Sequence, residues 1–149
     1  MYSPQLTMKN TVYLKYVIFV SIMIGCIGCQ TIANYDQTSY QNLTNTKVDA
    51  LALLDKANGS YSDHTKDITA FNVELDKAYE YDKGRPLNTI TLEIWDKQKA
   101  NIQGCLDDWK SKGTLNTTTI TDYKNQVGAG FDKMIHLESG KNKASQTSS

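Results

Sequence analysis

The chain has 149 residues, with 16 Lys and Arg against 16 Asp and Glu, so it is formally neutral. Well-mixed neutral charge removes the electrostatic footprint of a nucleic-acid binder. Three cysteines and two histidines leave little material for a disulfide framework or a metal cluster, and the length suits one domain with a packed core.

Lys15 is followed by an apolar run from Tyr16 to Gly28. A helix needs about 20 apolar residues to cross a bilayer, so this run is too short to span, and it matches the core of a secretory leader, roughly 7 to 15 residues long. Met8-Lys9-Asn10 is a more typical leader opening than Met1-Tyr2-Ser3-Pro4. The run ends Ile24-Gly25-Cys26-Ile27-Gly28-Cys29, and a polar segment begins at Gln30. This ending resembles the lipobox of bacterial lipoproteins, which implies a diacylglycerol on the thiol, labelled by palmitate, and cleavage just before it. Two cysteines fit: Cys26 has Met23 three residues before it, and Cys29 has Cys26 there. Cys29 is preferred, because the whole apolar run then lies upstream of the cut and Gln30 opens the mature chain; Cys26 is the alternative. The expected division is a signal peptide over 1–28, a lipidated tether over 29–35, a helical bundle over 36–139 and a disordered tail over 140–149.

From Cys29 onward about 120 residues remain, and loss of Lys9 and Lys15 leaves 14 basic against 16 acidic residues. With Cys29 lipidated, Cys105 is the one thiol left, so no internal disulfide can form even in a compartment that permits one. Glycines at Gly59, Gly84 and Gly113 mark turns and divide the chain into four segments of helical length.

The first segment starts from Asp36, a good N-cap. Its stripe is Tyr40, Leu43, Ala50, Leu51, Leu54 and Ala57, flanked by Val48 and Leu53. In the second, Tyr61, His64, Ile68, Phe71, Leu75 and Ala78 step by three and four without a miss. The third opens at Pro86, acceptable only near a helix start, and runs Leu87, Ile90, Ile94, Ile102, Cys105 and Trp109. Gln98 and Asn101 fall on its apolar period, which predicts either a break near Ala100 or buried amides with partners. The fourth starts at the cap Asn116 and runs Ile120, Tyr123, Val127, Phe131, Met134 and Leu137. Gly128 and Gly130 interrupt it at about 1 kcal/mol each relative to alanine, and a connection centred near residue 114 sets Gly128 opposite Ala100.

Short connections between four amphipathic helices predict an all-α, up-down-up-down four-helix bundle behind the signal peptide. One pole then gathers the tether with Tyr35, Tyr40, Tyr79, Tyr81, Arg85 and Lys141. Amphipathic tyrosines and long basic chains there suit an interaction surface or lipid headgroups, whereas Tyr40 and Tyr79, on apolar stripes, also suit the core.

Metal chemistry in a bundle needs Glu-x-x-His pairs facing inward, and none of Glu74, Glu80, Glu93 or Glu138 has a histidine three residues on. His64 and His136 fall at opposite poles. His136 reads as an exposed pair with Asp132 one turn back, and His64 as a packed or capping residue. The motifs of haem attachment, zinc proteases, phosphate loops and serine-hydrolase elbows are missing from the sequence. Cys105 lies on an apolar stripe, as a buried inert thiol does. The expectation is no cofactor and no metal.

Over most of the mature chain, Cys29-Gln-Thr-Ile, Asp36-Gln-Thr-Ser-Tyr, Lys47-Val-Asp-Ala-Leu-Ala-Leu, Ala78-Tyr-Glu-Tyr, Lys83-Gly-Arg-Pro and Leu137-Glu-Ser-Gly-Lys resemble a group of small uncharacterised helical bacterial lipoproteins. That resemblance supports Cys29 and implies no activity. Two functional readings follow. One is a lipid-anchored, non-enzymatic interaction or structural module that meets a protein partner in the cell envelope. The other is a small-ligand binder or enzyme with a mid-bundle polar pocket formed by Gln98 and Asn101 with Gly104, Gly128 and Gly130. Gln30 in the second mature position, in place of aspartate, resembles outer-membrane sorting.

Overall fold

The computed structural model describes residues 32–146. Four helices form an all-α up-down-up-down bundle: α1 (Gln37–Asp55), α2 (Thr65–Lys83), α3 (Thr89–Lys112) and α4 (Thr117–Gln146). Each helix packs on its neighbours in sequence, and α1 also packs on α4. Among the described residues no helix is long and apolar enough to cross a membrane. The leader and both candidate lipidation sites lie outside the described residues.

Helix starts follow their caps. Asp36 accepts the Ser39 N–H through Oδ1 at 2.8 Å, and Asn116 accepts that of Thr119 at 2.9 Å, each satisfying a donor that a first turn leaves unpaired. The second helix starts later than its stripe: Tyr61–His64 forms a separate 3-10 turn, and the α-helix proper begins at Thr65. A single 3-10 turn, Lys56–Asn58, also closes α1. Gly113, at φ 78°, ends α3, a backbone state that glycine adopts without a Cβ penalty.

The core runs through Leu43, Leu54, Phe71, Trp95, Trp109, Val127, Phe131 and Met134. The Trp95 and Phe131 rings meet edge to face at 5.8 Å between centroids, a favoured aromatic geometry. At the end of the bundle opposite Ala33, the α1–α2 and α3–α4 connections are stitched together by backbone. Leu115 donates its N–H to Ala57 O at 2.8 Å, and Tyr61 donates to Gly113 O at 2.9 Å. The Trp109 indole adds a hydrogen bond to Gly59 O at 3.0 Å.

Several expectations need correction. Val48 is 61% exposed, while Ser39 and Thr46 take buried places on α1. In α3 the buried stripe is Asn88, Thr91, Trp95, Gln98, Ile102, Cys105 and Trp109, so Leu87 and Ile90 lie out of phase at 52% and 54% exposure. Of the two outcomes expected for Gln98 and Asn101, α3 is continuous through Ala100 and Gln98 is a buried amide with a partner, while Asn101 lies at the margin of the stripe. Helix α4 carries on past Gly140 to Gln146, with Lys141 buried, so the chain does not leave the bundle at residue 140.

The two glycines of α4 differ in role. A Cβ on Gly128 would meet Leu51 Cδ2 of α1 at 3.9 Å, so this residue faces α1 and not Ala100; a Cβ on Gly130 would fall 1.8 Å from Gln98 Oε1. Gly128→Ala should therefore stabilise the bundle by about 0.4–1 kcal/mol. Gly130→Ala should destabilise it by roughly 1–3 kcal/mol, because the buried Gln98 amide must move. Urea denaturation of the two variants beside the parent checks the opposite signs.

Candidate functional site

The most unusual chemistry lies at the end of the bundle where the chain comes in. On three helices the buried stripe continues into polar or charged residues: Ser39 on α1, Asp82 on α2 and Glu138 with Lys141 on α4, joined by Asn88 and Thr91 at the start of α3. Arg85, from the connection between α2 and α3, closes the set.

Arg85 Nη1 donates to Asp82 Oδ1 at 3.0 Å and to Glu138 Oε2 at 3.1 Å. Its Nη2 donates to Glu138 Oε1 at 3.0 Å and to the Asn34 carbonyl at 2.6 Å. The two bonds to Glu138 make a fork-to-fork pair, the strong geometry for guanidinium and carboxylate. Glu138 also accepts the Asp36 N–H at 2.8 Å and Lys141 Nζ at 2.7 Å. Lys141 donates onward to Asn88 Oδ1 at 2.8 Å and Thr91 Oγ1 at 3.2 Å, which uses all three of its protons. Asp82 accepts from Ser39 Oγ at 2.6 Å and from the Trp95 indole at 2.7 Å. Asn88, at the N-cap position of α3, sends its amide to Asp82 O at 3.0 Å instead of capping its own helix.

Two anions and two cations are thus enclosed together, and among the described residues no buried side-chain nitrogen or oxygen lacks a partner. Burial alone would raise the Glu138 pKa, but the Arg85 and Lys141 hydrogen bonds and the Asp36 N–H outweigh it and hold the carboxyl below its usual range. Burial likewise works against the charge on Arg85, and its two carboxylate partners more than restore it. A general base needs an accessible lone pair and a pKa near the working pH. Glu138, with both oxygens occupied and its proton affinity lowered, is a fastening group.

The segment before α1 is part of this fastening. Ala33 is buried and its N–H donates to Leu87 O at 2.9 Å. Arg85 holds Asn34, and Glu138 holds Asp36. The expected free tether therefore ends before Ala33.

The other predicted site residues are dispersed. Tyr35 and Tyr40 stand together, rings 6.3 Å apart, and the Tyr81 hydroxyl donates to both Asp36 carboxylate oxygens at 3.0 Å. Tyr79 belongs to the seam of α2 and α3, edge-on to Trp95 and under Lys99 Nζ at 4.4 Å. Arg85 and Lys141 do not extend as long basic chains towards headgroups, because both are committed to the buried network. Gln98 is buried, donates to Val127 O at 2.8 Å and packs on Gly130, whereas Asn101 is only half-buried. A small apolar cavity of about 10 Å³ lies between Ala50, Phe71, Ile102, Cys105 and Val127, and neither amide lines it. His64 lies 3.3 Å from Asp67 and against Trp109. Asp132 is paired with Lys47 of α1 and not with His136. Among the described residues no three His, Cys, Asp or Glu side chains converge as a metal site.

Asp82, Glu138, Ser39 and Trp95 escaped the sequence reading, although the signal was present. Steps of three and four carry Leu75 and Ala78 to Asp82, and Phe131 and Met134 to Glu138 and Lys141. No known family model, curated protein or solved structure matches this chain.

Removing one partner from a buried ion pair strands the other, at about 3–5 kcal/mol. Arg85→Ala should lower stability by that order, measured by chemical denaturation. The lowered Glu138 pKa adds stability that is fully present above the unfolded value, near 4.5, and is lost as pH falls through the folded value. Glu138→Gln should therefore melt lower at neutral pH and show a shallower fall in Tm on acidification.

Cys105 is buried, which pushes its thiol up to about 11. Thiolate is the reactive form, so Cys105 should resist a thiol reagent at neutral pH until the chain is unfolded. Rapid labelling of the native protein would contradict this packing.

Proposed function

We propose that this chain is a lipid-anchored protein of the bacterial cell envelope, acylated at Cys29, whose bundle serves as a non-enzymatic interaction or structural module for an envelope protein. The lipobox-like run and the resemblance to small helical lipoproteins support the anchor, and Gln30 supports the outer membrane.

The observation that carries the reading is the docked segment from Ala33 to Asp36. Only Gln30, Thr31 and Ile32 separate Cys29 from Ala33, a reach of at most about 14 Å at roughly 3.5 Å per residue. A lipid on Cys29 would then hold the charged end of the bundle close to the bilayer, with the backbone-stitched end facing away. This is the arrangement of an oriented post, suited to presenting helix faces and the far connections to a partner. The pocket reading gains nothing from the geometry: Gln98 is already engaged by Val127 and Gly130.

Metabolic palmitate labelling tests the anchor. Cys29→Ser should leave an uncut, unlabelled precursor, and Cys26→Ser should mature and label as the parent does. Label that survives Cys29→Ser and disappears with Cys26→Ser would move the anchor to Cys26.

A further inference from the structure

At the end of the bundle where the chain comes in, the usual arrangement of polar and apolar residues is inverted. The interior holds Asp82, Asn88, Thr91, Glu138 and Lys141, while Leu87 and Ile90 face outward at 52% and 54% exposure. Ile32 and Leu137, both half-buried, lie beside them around one shallow depression. Val48 and Val73, also exposed, belong to α1 and α2 well away from this turn.

Leu87 has φ 59°. Left-handed backbone costs a residue with a Cβ roughly 1–2 kcal/mol, and glycine or asparagine would occupy the same turn more easily. The turn instead projects a large apolar side chain into solvent. Backbone strain at a half-exposed leucine is a starting point for a functional hypothesis.

We infer that Ile32, Leu87 and Ile90 form a lipid-contacting face that rests in the bilayer interface and fixes the tilt of the bundle. The inference builds on the proposed Cys29 anchor. Ile32 opens the described chain, three residues after Cys29, so a lipid there brings this face, before any other, to the membrane surface. Apolar side chains then leave water for the acyl boundary, and burial of about 25 cal/mol per Å² adds to the hold of the lipid itself. The paired charges behind the face present no uncompensated ion to the low-dielectric side.

The full chain with one added cysteine at Leu87→Cys or Ile90→Cys, labelled with an NBD fluorophore and read against the parent chain labelled in the same way to remove any signal from Cys26 and Cys29, tests this in vesicles of phosphatidylethanolamine and phosphatidylglycerol. Val48→Cys and Val73→Cys are controls, and the buried Cys105 stays unlabelled. Emission at 87 and 90 should shift to the blue and be quenched several-fold more by nitroxide-bearing lipids than at 48 and 73. Equal behaviour at all four positions on palmitate-labelled protein overturns the inference and leaves the anchor standing. A blue shift without lipid quenching also overturns it, pointing to a second copy if it grows with protein density and to cover by the chain's own N-terminal segment if it does not. Quenching at 87 and 90 without palmitate upholds the face while the anchor falls; neither signal overturns both. As a second variant, Leu87→Asn keeps the turn and should melt no lower than the parent, yet reduce quenching at 90 by roughly half as the apolar contact shrinks. Undiminished quenching would remove Leu87 from the face.

Discussion

The fork between Arg85 and Glu138 is the interaction on which this bundle closes. A carboxylate with no exposure and a guanidinium nearly as enclosed would each cost several kcal/mol alone, so they fold together or leave a buried charge unpaired. Their remaining hydrogen-bonding capacity reaches α2 through Asp82, the N-terminal segment through Asn34 and Asp36, and α3 through Lys141 and Asn88. Apolar stripes alone leave a four-helix bundle tolerant of sliding by a turn or of a different helix order. Here such a shift would separate ions that are almost wholly enclosed, and the network favours one register over the others.

The two ends of the molecule are closed by different physics. Backbone hydrogen bonds between the α1–α2 and α3–α4 connections fasten one end and depend little on which side chains are present. Charged side chains fasten the other and depend on each of them. Between the two, Gln98 fills the space left by Gly130 and takes the Val127 carbonyl as partner. A buried amide here specifies how α3 and α4 meet, much as a single polar residue sets the register of a coiled coil.

Most of the architecture was legible because the apolar stripes of α1, α2 and α4 persist over several turns and Asp36 and Asn116 are strong caps. The α3 phase was not. Leu87 and Ile90 look like the start of a stripe, and following them makes Gln98 a defect, whereas stepping back from Trp109 through Cys105 and Ile102 reaches Gln98, Trp95, Thr91 and Asn88 without interruption. Hydrophobicity is a poor guide to facing where an end of the core is ionic. For the same reason Asp82 and Glu138 were not singled out as core residues: periodicity places them inside, but a charge goes inside only when a partner waits there, and Arg85 comes from a turn that periodicity does not describe. The mid-bundle pair divided, since Gln98 carries a buried amide and Asn101 stays at the margin.

The docked segment ahead of α1 also has a mechanical meaning. A pull on the chain upstream of Ile32 meets the Ala33–Leu87, Asn34–Arg85 and Asp36–Glu138 hydrogen bonds before it reaches the first hydrogen bond of α1. Those attachments lead to the α2–α3 turn and to α4, so the load divides between two parts of the bundle before α1 bears it. A helix pulled directly at its end unravels one turn at a time, at low force. With this collar in place α1 is shielded from that route until the three attachments have parted.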